Sequence, residues 1–519
     1  MAAISEARAE LRAALVARGF TDDGDLLRGP VPWNGPDGAT TATVDITVPA
    51  RYPFGPPVVR LHEIGADITI TFHIDPDEAL CLWDNSEPAG DASWTDPDAL
   101  LARITGWLEQ TAAGWPDDDD TDLERYLAGP RAPKLVLYDA DALATVTGCV
   151  RTAANNLTIT IHAEPRQPPA QSRSRKRGRT TKHGKTSLPR SQQHLAYVAD
   201  LGTVDAPIRD WNDLAAVMTD ARDVRRYINQ GAVELVALRY RRGTAAGLLV
   251  VAATPGRDGN PPQLHPCLAA DTSLSSRTLR AGPQTHALAK VHVTIVGCGA
   301  VGSYVADMLY REGVRRFVLV DPDIYRPGNV IRHAAPARLV GQPKVKAVAD
   351  ALLALDLGAP DITFDDERLS TPEDALRLVR ETDVVIDATA DERATALLRW
   401  ASHSTGRPVI SACTQRDGGI ARADRFPPTD GEEYLPAVPL LPGHTLPIRE
   451  RGCGDAVSPA PPTAVVAAAE LAVELARDQL VLHRAAPASV VRVLQPQPDE
   501  PYHTITTMTS AVPSAPGPS

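Results

Sequence analysis

The sequence predicts a multidomain chain, with an α+β domain first, a middle domain next and an α/β domain last. A length of 519 residues allows roughly three domains at about 150 residues each. Near the N-terminus, a helical pattern is followed by alternating patterns typical of antiparallel strands. From Val291 on, the chain reads strand, glycine turn, helix and strand, which is typical of an α/β unit. A composition of 43% hydrophobic and 23% charged residues supports several globular cores.

The first domain is predicted over residues 1–130. Apolar residues at helical spacing begin it, and a second helix is expected from about residue 97 to 110. Apolar and polar residues alternate in between, which predicts an antiparallel meander of strands at 44–48, 59–61 and 68–72. The acidic run Asp117 to Asp120 is interpreted as a solvated turn that ends the domain.

The middle domain is predicted over residues 135–275, and the sequence assigns it no chemistry. It contains the segment 165–190, which has nine Lys and Arg, no acid and no large apolar cluster, and is predicted to be a disordered tether between domains. A Pro/Ser/Thr-rich tail from 496 to 519 is also predicted to be disordered, which leaves 276–495 for the last domain.

Charge and cysteine content exclude several classes of function. The net charge of −12 argues against a nucleic-acid partner. The six cysteines include no CxxC pair, so zinc-ribbon spacing is absent. The N-terminus lacks the apolar region of a signal peptide, and no apolar run is long enough to span a membrane. We therefore expect a cytoplasmic protein with reduced thiols and no membrane partner.

The most specific pattern starts at Val291 and reads VHVTIVGCGAVGSYVADMLYREGVRRFVLVDPD. Its glycines, Gly297, Gly299 and Gly302, follow GxGxxG spacing, and Asp321 ends the next strand 19 residues after Gly302. Glycines in such a turn let the backbone approach phosphate, the helix N-terminus favours negative charge, and the acid binds ribose hydroxyls. The pattern predicts nucleotide binding, and an NAD-dependent oxidoreductase is its default interpretation.

The residues after Asp321 favour a triphosphate instead. Asn329, Arg332 and Lys344 follow closely, and cationic groups there suit a departing pyrophosphate. A further buried strand ends in DATADE, whose Asp387 and Asp391 are candidate Mg²⁺ ligands.

Taken in order, GCGAVG with LVDPD, NxxR with GQPKVKA, and DATAD with PVIS resemble the ThiF/MoeB and ubiquitin-activating adenylation fold. This Rossmann-like resemblance covers about 275–485. It implies that ATP is cradled by the three glycines, that Asp321 holds its ribose, and that Asn329, Arg332 and Lys344 meet its phosphates. It further implies a homodimer and Mg²⁺ at Asp391, with Asp387 as the alternative ligand. The chain departs from the family at His333, where Gln is usual, and at Ala390, where the family has Asp before Asn.

Two cysteines have neighbours that suit nucleophilic chemistry. Cys453 lies in RGCGDAV, where arginines could stabilise a thiolate, shortly before a long apolar stretch. ThiF-like and ubiquitin-activating proteins place a thioester cysteine in a loop before such a helix, so the resemblance implies that role here.

Cys81 lies in FHIDPDEALCLW, after YPFGPP and before a Trp that precedes a helix. This order resembles the ubiquitin-conjugating fold over about 1–125, in which a His precedes the catalytic Cys by eight residues, as His73 does here. The resemblance implies that Cys81 accepts a thioester. Asp75 stands where that family has Asn, and an ionised carboxylate there suits orienting or deprotonating an incoming amine better than steadying an oxyanion.

Together these features resemble bacterial fusions of a ubiquitin-conjugating-like domain with a ubiquitin-activating-like domain, as found in antiphage CBASS operons. The implied function is ATP-dependent adenylation of a partner protein's C-terminal carboxylate, thioester transfer from Cys453 to Cys81, and conjugation to a target amine. The partner is a ubiquitin-like protein or a CD-NTase-type nucleotidyltransferase. An NAD-dependent oxidoreductase and a non-catalytic ATP-binding adaptor remain the alternatives.

Overall fold

The computed structural model describes residues 2–64, 72–83, 93–116, 118–127, 129–167, 194–429, 431–439, 448–449, 456–482 and 487–511. The chain divides into two compact units, Met1–Ser273 and Leu274–Ser519. Within the described ranges, no helix has the length and apolar character needed to cross a membrane.

The first unit begins with an antiparallel sheet covered by two helices. Its elements are α1 (Ala2–Val16), β1 (Thr21–Asp22), β2 (Leu27–Gly35), β3 (Gly38–Thr47), β4 (Val58–Glu63) and α2 (Pro97–Ala113). The sheet order is β1-β2-β3-β4. Asp96 caps the start of α2, and Gly114, with φ of 76°, ends it in the left-handed conformation.

The predicted meander is correct in part. Strands β3 and β4 contain the predicted segments 44–48 and 59–61, apart from the terminal Val48, and most of 68–72 lies outside the described residues. Strand β2 was missed because Gly29, Pro30 and Pro32 interrupt its pattern. Its side chains nevertheless alternate, with Leu27, Val31 and Trp33 buried against α2 and the neighbouring strands.

The same unit continues into a closed barrel, in the order β10-β11-β5-β7-β6-β8-β9. The elements are β5 (Ala132–Tyr138), α3 (Ala140–Leu143), β6 (Gly148–Ala154), β7 (Thr158–Pro165), β8 (Leu195–Thr203), α4 (Trp211–Val217), α5 (Ala221–Asn229), β9 (Val233–Arg242), β10 (Ala245–Thr254) and β11 (Gln263–Asp271). Strand β9 reaches β10 through a tight turn, and the two pair along most of their length.

The barrel topology corrects the interpretation of the basic segment 165–190. Most of this segment, from residue 168 on, lies outside the described residues. It connects β7 to β8, and both strands pair with β6 in the same barrel. A connection that leaves and re-enters one barrel cannot be a tether between domains, so that prediction was wrong.

The second unit is built around a mixed sheet in the order β14-β13-β12-β15-β16-β17-β20-β21. Its elements are α6 (Leu274–Thr278), α7 (Thr285–Leu288), β12 (His292–Val296), α8 (Ala300–Glu312), β13 (Arg316–Val320), α9 (Lys344–Leu353), β14 (Asp361–Asp365), α10 (Pro372–Glu381), β15 (Val384–Asp387), α11 (Glu392–Thr405), β16 (Val409–Gln415), β17 (Ile420–Phe426), β18 (Ile448–Arg449), β19 (Ala456–Val457), α12 (Pro462–Arg477), β20 (Ser489–Val493) and β21 (Thr506–Thr509).

Five neighbouring strands of this sheet, β14-β13-β12-β15-β16, are parallel. The order of the strands along the chain changes direction at β12, which lies between β13 and β15. In sheets of this type, ligands bind beyond the carboxyl ends of the strands at such a switch point. One face packs mainly on α8 and α12, and the other on α10 and α11. The predicted glycine turn therefore lies where this topology places a ligand.

The predicted disordered tail from residue 496 needs a correction. Strand β21 pairs antiparallel with β20, and Tyr502 is fully buried beside Val491 and Val493. The Pro-rich composition concealed a short edge strand that is held by its partner rather than by its own propensity. Residues 512–519 lie outside the described part.

Candidate functional sites

The glycine turn between β12 and α8 depends on two glycines for close packing. Gly297 has φ of 92°, and a Cβ there would lie 2.7 Å from the carbonyl carbon of Ala388. A Cβ on Gly302 would lie 1.8 Å from the carbonyl oxygen of Gly297. Gly299 differs, since a Cβ there would have no neighbour within 4 Å, and it lines a cavity above the turn. Gly297 and Gly302 thus allow close packing around the turn, and Gly297 and Gly299 line the cavity.

Asp321, at the end of β13, connects this turn to the next loop. Its carboxylate accepts hydrogen bonds from the backbone N–H of Cys298 at 2.7 Å and of Asp323 at 2.8 Å. The Lys344 ammonium lies 4.0 Å from Asp321 and 2.7 Å from Asp323. Burial raises the pKa of Asp321, with Lys344 opposing the rise. Gly297, Gly299, Asp321 and Lys344, all predicted, line one cavity.

The two candidate Mg²⁺ ligands have different surroundings. Asp387 is 1% exposed and accepts hydrogen bonds from the hydroxyls of Thr389, Thr395 and Ser411. Asp391 caps α11, is partly exposed and lines the cavity. Across the described residues, no cluster of three or more His, Cys, Asp or Glu is arranged to hold a metal. Mg²⁺ commonly binds one or two carboxylates together with substrate phosphates, so Asp391 fits it better than Asp387.

Asn329 and Arg332 lie farther along, on a 3₁₀ helix over Pro327–Arg332. The Asn329 side chain accepts a hydrogen bond from the Arg326 N–H, which caps that helix. Arg332 donates to the carbonyl of Ser458 at 2.6 Å. Among the described residues that line the cavity, neither is present. Their predicted contact with phosphates stays a prediction.

His333, the departure from the family pattern, is 6% exposed and connects the glycine turn to the segment that follows the 3₁₀ helix. Its Nδ1 accepts from the Ala335 N–H at 3.0 Å, and its Nε2 lies 2.9 Å from the Cys298 carbonyl oxygen. An N–H can only donate and a carbonyl can only accept, so the ring is neutral with its proton on Nε2. Burial lowers the pKa of His333 to about 4, and Lys344 also lowers it.

In the first unit, a tight turn brings His73 and Cys81 together. Asp75 and Ala79 pair across it, and the Cys81 N–H donates to the His73 carbonyl at 2.8 Å. Leu80 and Leu82 are each 6% exposed, whereas Cys81 between them is partly exposed. The apolar neighbours anchor the turn and leave the sulfur accessible.

The His73 side chain is held on several sides. Its Nε2 lies 2.7 Å from an Asp118 oxygen, and its ring packs on Trp115 with centroids 4.0 Å apart. Its backbone N–H donates to the Tyr126 hydroxyl, and its carbonyl accepts from Trp107. His73 itself has φ of 58°, which is unusual for a non-glycine residue. These contacts indicate that His73 shapes the turn.

Arg125, which sequence reasoning missed, contacts the predicted nucleophile directly. Its Nη2 lies 2.9 Å from Cys81 Sγ and 3.1 Å from Asp75 Oδ1, and its Nη1 lies 3.6 Å from Asp120. Asp75 is therefore bound to an arginine in this structure. Burial raises the pKa of the Cys81 thiol, and Arg125 opposes that rise.

Residues 118–126 carry Arg125, and we call this segment the strap. The barrel holds it. Arg242 on β9 is 4% exposed, forms an ion pair with Asp118, donates to the Asp120 carbonyl and lies over the Phe72 ring at 3.4 Å. The Tyr240 hydroxyl donates to the Thr121 carbonyl, and Thr244 donates twice to Asp119. The prediction of a solvated turn was wrong for Asp118, whose side chain is largely buried and paired with Arg242, whereas Asp119 is exposed and still bonded to the barrel.

A groove of about 840 Å³ opens beside Cys81 along one face of α2. Its described lining is mostly small or apolar, with polar groups at intervals: His73, Cys81, Leu82, Ser93, Ala99, Ala102, Arg103, Gly106, Trp107, Glu109, Gln110 and Trp115.

Cys453 lies in sequence between β18 and β19, outside the described residues. Cys149, Cys267 and Cys298 are buried, which does not suit a nucleophile.

The comparisons with known proteins concern the second unit. Residues 274–443, which include the glycine turn, Asp321 and Lys344, match the ThiF family. Residues 274–443 form a ThiF domain. The predicted ThiF-type fold is thereby confirmed for this region, whereas the ubiquitin-conjugating-like fold of residues 1–130 stays a prediction.

Relatives of the ThiF domain carry names from more than one activity. The chain is 32% identical over 190 residues to the uncharacterised protein y4oA of Sinorhizobium fredii, covering 34% of this chain and 32% of that protein. It is 36% identical over 133 residues to the adenylyltransferase and sulfurtransferase MOCS3 of Bos taurus, covering 25% and 29%. It is 30% identical over 177 residues to the ATP-dependent ubiquitin transferase-like protein Cap2 of Enterobacter hormaechei, covering 32% and 29%.

The chain thus spans less than a third of the length of these relatives. Among solved structures, Escherichia coli MccB with AMPCPP and MccA is similar to it at a TM-score of 0.35 and 16% identity, covering 48% of this chain and 74% of that one.

Proposed function

We propose that this chain adenylates the C-terminal carboxylate of a partner protein and conjugates it to an amine through two cysteines. The observation that carries the proposal is the arrangement of Asp321 in the ThiF domain. This buried acid is bonded to the glycine turn and lies 4.0 Å from Lys344, beyond the carboxyl ends of the parallel strands, where sheets of this type bind ligands. ATP-dependent ubiquitin transferase-like and adenylyltransferase relatives support the choice of ATP.

Each residue then has a defined task toward ATP. Gly297 and Gly299 let phosphate oxygens approach the backbone at the start of α8. Asp321 accepts hydrogen bonds from the ribose hydroxyls. Lys344 moves from Asp323 to the departing pyrophosphate, and Arg332 and Asn329 support it there. Asp391 would hold Mg²⁺, which would neutralise phosphate charge when bound.

The proposed reaction begins when a carboxylate oxygen of the partner attacks the α-phosphorus of ATP and pyrophosphate leaves. Because a free carboxylate is a poor electrophile, the acyl-adenylate is required for every later step. Cys453 takes the acyl group and releases AMP, and Cys81 then takes it from Cys453. A target amine finally accepts the acyl group as an amide.

In the conjugating half, His73 is a positioning residue that fixes the turn carrying Cys81. Asp75 orients Arg125, a role that differs from the amine-directed one predicted from sequence. The partner is a protein with a C-terminal carboxylate, either ubiquitin-like or a CD-NTase-type nucleotidyltransferase, and antiphage defence is the proposed setting. We also propose a cytoplasmic homodimer, by resemblance to related adenylation domains.

Nucleotide binding tests the first step without a partner. A fluorescent ATP analogue should bind in the presence of Mg²⁺ and be displaced by ATP but not by NADH. Asp321→Ala and Lys344→Ala should each weaken binding at least tenfold. Lys346→Ala is the matched control, because Lys346 lies on the same helix and pairs with Asp350 at 3.6 Å. Displacement by NADH alone would refute the proposal in favour of the oxidoreductase.

Exchange of labelled pyrophosphate into ATP tests the chemistry. Proteins that co-purify with the chain should support exchange when their C-terminal carboxylate is intact and not after its removal. ATP binding without exchange or thioester formation, with every such partner, would instead support the non-catalytic adaptor.

A further inference from the structure

Arg125 places a permanent positive charge against the sulfur of Cys81. Its guanidinium does not lose its proton at any pH that proteins experience, and its Nη2 lies 2.9 Å from Sγ. Asp75 and Asp120 contact other parts of the same guanidinium, at 3.1 and 3.6 Å. Two carboxylates therefore fix the direction in which the cation points.

The backbone around Arg125 is fixed as well. Arg125 lies on a 3₁₀ helix, Leu123–Tyr126, and the hydroxyl of the next residue, Tyr126, accepts a hydrogen bond from the His73 N–H. Leu123 and Tyr126 are buried in the core shared with the barrel. Only 24% of the Arg125 side chain is exposed. Burial of the neighbouring Leu123 and Tyr126 thus helps to hold the Arg125 guanidinium at the sulfur.

We infer that Arg125 is a catalytic residue of the Cys81 site, where its guanidinium binds the sulfur whenever that sulfur is negatively charged. This inference rests on the proposed function and adds a residue to it. When Cys81 accepts the acyl group, its thiolate attacks the thioester carbonyl carbon, and the bond to the donor sulfur breaks with its electron pair. The guanidinium stabilises the attacking thiolate.

When the acyl group leaves, the target amine nitrogen attacks the same carbonyl carbon. The bond from that carbon to Sγ breaks, its electron pair stays on Sγ, and the amine gives a proton to water. The guanidinium then stabilises the departing thiolate. One cation serves both steps because both begin or end with charge on the same atom.

Several charged groups set the protonation of this sulfur. Burial raises the pKa of the Cys81 thiol, the carboxylates of Asp75 and Asp120 add to the rise, and Arg125 opposes it. His73 also faces the groove, with its ring bound to Asp118. Removing Arg125 would leave the partly buried sulfur facing acids without a compensating cation, so its thiolate should become markedly rarer.

The test is the pH dependence of Cys81 alkylation in the full chain, without ATP or partner. Iodoacetamide would be added between pH 6 and 10, and the Cys81 peptide quantified by mass spectrometry. Each unit of rise in thiol pKa lowers the thiolate fraction tenfold and raises thiolate reactivity about threefold, so alkylation slows about threefold. Arg125→Gln should therefore slow alkylation at pH 8 at least about threefold, and Asp75→Asn should accelerate it.

Two further variants make the result decisive. Arg18→Gln is the matched control, since Arg18 also forms an ion pair with a carboxylate, but with Asp98 rather than with Asp75. Arg125→Lys keeps the positive charge but lacks the paired N–H groups of the guanidinium, so its alkylation rate should lie between those of wild type and Arg125→Gln. If Arg125→Gln does not fold, Arg125→Lys provides the test. Equal rates in Arg125→Gln and Arg18→Gln would overturn the inference, as would acceleration by both Arg125→Gln and Asp75→Asn.

Alkylation separates this inference from the proposed function. A shift of the expected sign, in a chain that never forms an ATP-dependent thioester, would refute the conjugating function and leave the thiolate contact standing. Thioester formation with an unchanged alkylation rate in Arg125→Gln would support the conjugating function and refute the role of Arg125.

Discussion

Lowering the pH should destabilise the second unit through His333, and the structure gives the size of the effect. The ring must be neutral, because Nδ1 accepts a hydrogen bond and Nε2 donates one. Its pKa falls from 6.5 to about 4 on burial. Between these values the unfolded chain binds a proton that the folded chain does not, so stability is lost as pH falls below 6.5.

At pH 4.5 the unfolded state would be almost fully protonated at this residue and the folded state mostly neutral. The linkage amounts to about 2.5 kcal/mol between pH 7.5 and pH 4.5. For a unit of this size, each kcal/mol changes the melting temperature by about 2–4 °C, so the fall should be roughly 5–10 °C.

The assay compares melting temperatures by calorimetry at pH 7.5, 6 and 4.5 in wild type and His333→Gln. Gln can donate to the Cys298 carbonyl but does not titrate, so its melting temperature should fall by about 5–10 °C less than that of wild type. Loss of the Ala335 contact lowers the variant's stability at every pH, so the comparison rests on how steeply the melting temperature changes with pH. His403→Gln, at an exposed histidine on α11, should retain the wild-type slope. Parallel slopes in wild type and His333→Gln would refute the neutral, buried ring.

Three other perturbations test separate features. Gly302→Ala should cost about 1–3 kcal/mol of stability, because its Cβ would overlap the Gly297 carbonyl, whereas Gly299→Ala has room for a Cβ and should melt like wild type in the same calorimetric scan. Replacement of residues 168–193 by a Gly/Ser segment of equal length should leave melting and ATP-dependent conjugation on gels unchanged, and a large loss would show that the basic residues bind something. Cys453→Ala should form no thioester on Cys81, Cys81→Ala should still form one on Cys453, and Cys81→Ser should trap an ester that survives reducing agent. Loading of Cys81 in Cys453→Ala, seen on non-reducing gels, would contradict the relay.

The grouping of Gly297, Gly299, Asp321 and Lys344 around one cavity could be predicted from sequence because these residues are close together along the chain. Gly297 and Lys344 are 47 residues apart, and the strand, turn and helix between them form by local rules. The pairing of His73 with Cys81 is similarly local, since one tight turn brings them together. Patterns within one supersecondary unit carry enough information to place such side chains.

The surroundings of Cys81 could not be predicted in this way. Arg125 is 44 residues from Cys81, and Arg242 is 124 residues from Asp118. A run of acids in the sequence shows negative charge but not which basic residues will pair with it. A segment whose acids form ion pairs is therefore easily interpreted as a solvated turn. The same reason explains the segment 165–190, since its composition does not show that the strands on either side belong to one barrel.

The contacts between the barrel and the strap determine where this chain could be divided without loss of the surroundings of Cys81. A cut near residue 130, where the sequence predicts the end of the first domain, would separate Asp118 and Asp119 from Arg242 and Thr244. A fragment made that way would carry Cys81 but lose the partners that hold its neighbouring arginine in place. The piece that keeps these contacts is therefore the whole unit Met1–Ser273, and in evolution the unit Leu274–Ser519 could be replaced more readily than the barrel.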